Sequence, residues 1–176
     1  MIAHWREAWR RQRRLRSAEN LLVWREQAAL LAAAFARALR QSGPDAPSDV
    51  VLNRIDWGLE HLRRLSTAIR PPLARQDRPL ADQLEAWLTQ AYQLRNQTLS
   101  YLIRWESYRE AEQDAGGGDF IARRRAHAIR WERDEALLPA LDSLRRANAS
   151  LVDLAPRLQG LAGEWSIPEP PSSLVA

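Results

Sequence analysis

The chain has 176 residues, 45% of them apolar, and a net charge of only +4. It contains no Cys, which excludes disulfides, thiolate nucleophiles and Cys-ligated zinc. Its 26 basic residues are all Arg, so the high sequence pI reflects how late guanidinium titrates rather than a large positive excess.

Ala, Leu, Arg, Glu and Gln dominate while Val and Ile are scarce, a composition that favours helix over sheet. The N-terminus is charged from Arg6 onward and lacks the apolar core of a signal peptide. The most apolar stretch, 21–39, carries Arg25, Glu26, Gln27 and Arg37 and is no membrane span. The expected location is the cytoplasm of a bacterium with a GC-rich genome, where coding bias would favour Arg over Lys.

Three groups of turn residues divide the chain: Ser42-Gly43-Pro44 through Pro47, Pro71-Pro72 with polar residues to Pro79, and Gly116-Gly117-Gly118. They leave helical segments near 2–41, 49–70, 79–115 and 119–163. The expected fold is all-α: an antiparallel four-helix bundle with long, heptad-patterned helices and a short second helix. One helical domain spans 1–165, and 166–176 form a Pro-rich flexible tail.

In helix 1, Leu21, Trp24, Ala28, Leu31 and Phe35 form one stripe, with Leu22, Ala29, Ala32, Ala36 and Leu39 beside it. The run 28–38 is apolar around most of its circumference, which predicts burial among several helices. Helix 2 offers Val51, Ile55, Gly58, Leu62, Leu65 and Ile69, with Ser48 and Asp49 placed to cap its start. At about 33 Å against 55–60 Å for the others, it is too short to cover its neighbours. Part of helix 1 or helix 4 must then project or present an apolar groove.

Pro79 suits the first turn of helix 3. There Leu80, Trp87, Leu94, Tyr101 and Tyr108 recur every seven residues, with Leu84, Ala91, Thr98 and Trp105 on the adjacent track. Asp119 follows the glycines and is placed to cap helix 4. That helix repeats the device with Leu137, Leu144, Leu151, Leu158 and Trp165, and with Leu141, Asn148, Ala155 and Ala162 alongside. Pro139 and Pro156 interrupt its hydrogen bonding and predict a kink, a short break or a curve around the bundle.

Two arginine clusters are candidate contacts. Residues 1–16 hold Arg6, Arg10, Arg11, Arg13, Arg14 and Arg16 against one acid, Glu7; Trp5 and Trp9 share an apolar arc of the wheel, and most of the arginines, Arg16 excepted, lie opposite. Such a basic amphipathic helix suits an acidic protein partner, nucleic-acid phosphates or, least of the three, an anionic membrane surface. The alternative places both tryptophans in the core and the arginines in solvent. Arg123, Arg124 and Arg125 form the second cluster, but three consecutive helical residues diverge, and Glu132, Asp134 and Glu135 lie near enough to pair with this region. Trp57 and Trp131 are candidate exposed aromatics, each with Arg and His at helical spacing.

Residues 1–41 carry nine Arg against three acids and 77–115 four Arg against seven. Helices 1 and 3 are therefore complementary, either as neighbours within the chain, the simpler reading, or between copies.

No catalytic constellation is legible. His4, His61 and His127 lie on three helices without a second ligand at chelating spacing. Arg95-Asn96 resembles the Arg-Asn of small helical RNases, but no His follows to complete that motif. The glycine run lacks the Lys of a phosphate loop. No cofactor, metal or small-molecule substrate is expected. The leading expectation is a non-catalytic helical adaptor or scaffold that binds a protein partner or self-associates. The alternative is an Arg-rich, backbone-binding helical subunit of a larger ribonucleoprotein or DNA-processing complex.

Overall fold

Seams repeating at three and four residues run along all four helices and set how they pack. The structure, a computed structural model, describes residues 2–167, and the side chains of all of these except 2–4, 6 and 7. The sequence-based tail beyond residue 167 lies outside the described residues. The elements are α1 (Ile2–Ala38), α2 (Ser48–Gln76), α3 (Arg78–Ala115) and α4 (Phe120–Ser166), with no strand among the described residues. Each helix packs on its chain neighbours, α4 closes the ring against α1, and α1 and α3 are diagonal, barely in contact. Helices 1 and 3, complementary in charge, are thus not neighbours within the chain.

Cross-helix pairs run in opposed order. Arg95 meets Asp56 and Arg70 meets Glu85 between α2 and α3. Between α3 and α4, Trp87 donates its indole N–H to the Ala147 carbonyl at 2.9 Å, and Arg157 reaches Asp77 at 3.1 Å.

The core is centred on Trp24 and Trp87, packed edge to face at 5.4 Å. Trp24 donates to Ser66 Oγ at 2.9 Å, so both indole N–H groups are satisfied away from water. Leu80, Leu94 and Tyr101 extend the α3 seam and are fully buried.

On α4 the second buried track is Ala140, Ala147, Leu154 and Leu161, not the one through Asn148, which is exposed. The reason is steric: only a small residue at 147 lets the Trp87 ring come close enough to reach the backbone. On α1 the inner stripe is buried as its spacing predicts, whereas Leu22, Ala29 and Ala36 lie at the surface. With α2 and α4 as its main neighbours among the described residues, α1 does not bury its whole circumference.

The second helix runs through Pro71-Pro72 to Gln76 and does not stop near residue 70. It is still the shortest of the four. Its N-cap is Pro47, and no side chain caps it; Ser48 is instead the first, buried helical residue. Each proline removes the bond to the carbonyl four residues earlier. For Pro71 and Pro72 those carbonyls belong to Thr67 and Ala68, both exposed, so water takes the place of the lost donors. Ile69 and Leu73, buried on either side, hold the helix in register. Pro139 and Pro156 follow the same rule on the outer face of α4, which runs unbroken for 47 residues.

Asp77 alone separates α2 from α3. Its N–H donates to the Leu73 carbonyl at 2.8 Å, closing α2, and its carboxylate accepts from Leu80 N at 2.9 Å, opening α3. Asp119 caps α4 by accepting from Ile121 N at 3.1 Å.

Candidate functional site

Helix α1 is longer than the bundle beside it. Trp24 meets Ser66 and Leu31 lies against Gly58, so α1 near residue 14 is level with the end of α2. Ala18 is the first buried residue of α1; residues 8–16 are all exposed. About four turns, some 22 Å of helix, therefore stand beyond the α2–α3 turn without a lateral neighbour among the described residues.

Trp5 is 77% exposed and Trp9 56%. They belong to this projecting segment and not to the core. The Arg13 guanidinium sits 5.0 Å from the Trp9 ring centre, a cation–π contact that holds one cation against the aromatic face. Arg10, Arg11, Arg14 and Arg16 are exposed along the same turns, while the side chain of Arg6 lies outside the described ones. Arg75 and Arg78 flank Asp77 at this end, so the basic character of the projecting turns continues onto the α2–α3 turn.

At the opposite end the C-terminal part of α3 and the start of α4 extend beyond α1 and α2 as a helical hairpin. Between residues 104 and 135 seven arginines face eight acids, so this end carries no cationic excess. Arg123 donates to the Gly118 carbonyl at 2.6 Å and so serves its own turn. Arg124 and Arg125 are exposed. The two arginine clusters do not meet, and only the N-terminal one is strongly positive.

Trp57 and Trp131 are exposed, at 71% and 64%. Trp57 stacks on His61 with ring planes 3° apart, so that histidine is an aromatic neighbour. Trp57 lies about 35 Å along the axis from Trp9, so the four tryptophans do not form one patch.

Sequence reasoning missed the cluster where the hairpin joins the four-helix body. Arg133 is only 6% exposed. Its guanidinium lies 4.3 Å from the Tyr108 ring centre and 5.2 Å from that of Trp105, and it binds Asp134 Oδ1 through two nitrogens. A signal did exist: Arg133 occupies the same seven-residue track as Ala126, Ala140 and Ala147. Tyr101 donates to the Arg40 carbonyl at 2.8 Å, and burial pushes its hydroxyl up to about 12. The Tyr108 hydroxyl is raised chiefly by its hydrogen bond to Glu112. These groups are committed to one another, which makes the cluster a structural joint.

Across α2 and α3, Arg95 grips Asp56 with two bonds of 2.8 and 2.9 Å. These hydrogen bonds hold the Asp56 carboxyl below its ordinary 3.8. They also occupy the arginine of the Arg-Asn pair. Because the folded value is depressed, the stability gained is complete above the unfolded value near 3.8 and is lost as pH falls through the folded one. The Asp56 side chain is 45% exposed, so solvent screens the pair. Asp56→Asn is expected to cost less than about 1 kcal/mol at neutral pH. The difference from the parent should shrink in urea melts as the pH falls below 3.8. A gap that persists in acid would show that the pair acts through shape rather than charge. Glu60, held to about 2 by hydrogen bonds from Arg63 and then Arg64, lies on the surface.

A cleft between α2 and α3, lined by Arg63, Ser66, Arg70, Leu84 and Glu85 among others, encloses about 120 Å³. That is well below the several hundred Å³ of sites that enclose a small organic ligand. Among the described residues no group of three or more His, Asp or Glu is placed to hold a metal ion, and no helix is long and apolar enough to cross a membrane.

The molecule therefore belongs to the class of long-helix bundles whose ends overhang. No family model, curated protein or solved structure matches the chain.

Proposed function

We propose that this protein is a non-catalytic helical scaffold that binds a protein partner, or a second copy of itself, through helix faces its own fold leaves uncovered. The observation that supports this is the outer side of α1, where Trp5, Trp9, Leu15, Leu22, Val23 and Leu30 are all exposed on one helix. A line of large apolar residues of this length on a surface marks an interaction face, and Trp beside Arg is the composition of binding hot spots. Light scattering across concentration, with affinity capture by the parent chain and by a Trp5→Ala/Trp9→Ala variant, tests the reading. Self-association, or a partner kept by the parent and lost with the variant, is expected. A monomer that retains the same proteins with either bait overturns it.

The charge of the projecting turns supports a second reading, an Arg-rich subunit that contacts nucleic-acid phosphates. Six arginines stand against one acid in residues 1–16. Under this reading the affinity for random-sequence duplex falls with salt with a log–log slope of about −0.9 per phosphate neutralised. Fluorescence anisotropy from about 50 to 200 mM salt measures it. Absence of binding at the low end removes the reading.

A further inference from the structure

The uncovered side of α1 has a repeat of its own. Stepping alternately by three and four residues from Trp5 to Ala36, every position is exposed. This is the spacing on which a second helix packs, and α2 and α4 lie on the other side. The bulky residues, Trp5, Leu15 and Leu22, lie in the N-terminal part of the seam. Ala29, Ala33 and Ala36 lie in the C-terminal part.

An antiparallel helix of the same sequence sets one part against the other. Positions whose numbers add to about 41 then face each other across a two-fold axis: Trp5 with Ala36, Ala8 with Ala33, and Leu15 with Glu26. Trp5 meets a small residue, Leu15 and Leu22 lie against the methylene stems of Glu26 and Glu19, each contact occurs twice, and the interface closes on itself.

Charge selects the direction. A parallel pairing in register would bring together two sets of six arginines and set Glu19 and Glu26 against their own copies. The antiparallel pairing brings Arg16 beside the other copy's Glu26 and separates the two arginine clusters by about 28 Å, beyond the reach of repulsion at physiological salt.

We infer that two copies of this chain associate through the outer face of α1, antiparallel and two-fold symmetric. The inference rests on the scaffold reading and names its partner as a second copy.

The absence of Cys makes the full chain suited to cross-linking. Ala8→Cys and Ala33→Cys place single thiols at positions that face each other only in this register. Under mild oxidation a mixture of the two variants is expected to give a disulfide-linked dimer, and neither variant alone. Leu22→Glu, at an exposed site and with circular dichroism as the control for folding, is expected to weaken the dimer about tenfold or more in sedimentation across roughly 1–200 µM. Cross-linking of Ala33→Cys with itself, or a dimer that persists in Leu22→Glu, overturns the inference while leaving self-association, and so the scaffold reading, in place. A chain that is monomeric at every concentration overturns the inference outright. The scaffold reading then stands or falls on partner capture alone.

Discussion

Replacing Trp87 with alanine is expected to destabilise the bundle by about 3–5 kcal/mol, the range for removing a large aromatic from a packed core. The ring is 1% exposed, lies edge-on to Trp24 at 5.4 Å, and donates to Ala147 across the α3–α4 interface. Truncation removes packing against both α1 and α4. Since a domain's net stability is about 5–15 kcal/mol, this change consumes a large part of it. The midpoint should fall by roughly 10 °C for a chain of this length. Trp87→Phe keeps most of the apolar volume and loses the hydrogen bond, so about 1–2 kcal/mol is expected. Urea melts monitored by circular dichroism measure both. A loss below about 1 kcal/mol for Trp87→Ala would mean that the two tryptophans do not form the centre of the core.

Gly43→Ala is expected to cost about 2–4 kcal/mol, from two separable causes. Gly43 has φ +98°, where an added Cβ is strained. That Cβ would also fall within the Trp105 ring. Trp105 has little room to retreat, because Tyr101 and Tyr108 flank it at 6.4 and 5.9 Å and Arg133 stacks beside it. In a double-mutant cycle, Trp105→Ala removes the collision but not the φ penalty. Gly43→Ala should therefore be milder in the Trp105→Ala background by about 1–3 kcal/mol. Additive effects would show that the loop between α1 and α2 does not rest on Trp105.

The helical seams were readable because burial on a helix repeats at a fixed spacing. Leu80, Trp87, Leu94 and Tyr101 could lie on one face only, and all are buried. The charge of the projecting turns was readable for the same reason: composition alone places six arginines within four turns. Two features were not readable. Either of two tracks on α4 would have satisfied the spacing, and the choice between them depended on which allowed a tryptophan from another helix to reach the backbone. Pro71-Pro72 carries the local signature of a turn, yet the helix continues, because Ile69 and Leu73 are anchored in the core while the carbonyls left without donors face water.

Sequence alone thus determined the helical class, the principal seam of each helix and the separation of the two arginine clusters, since each follows from intervals along one chain. Tertiary structure decided which side of α1 remains uncovered, that α1 and α3 sit diagonally, and that Arg133 is buried between aromatic rings. Those outcomes depend on how many neighbours a helix has and where they end. Water is excluded only where another surface arrives, and no interval within a single helix encodes that arrival.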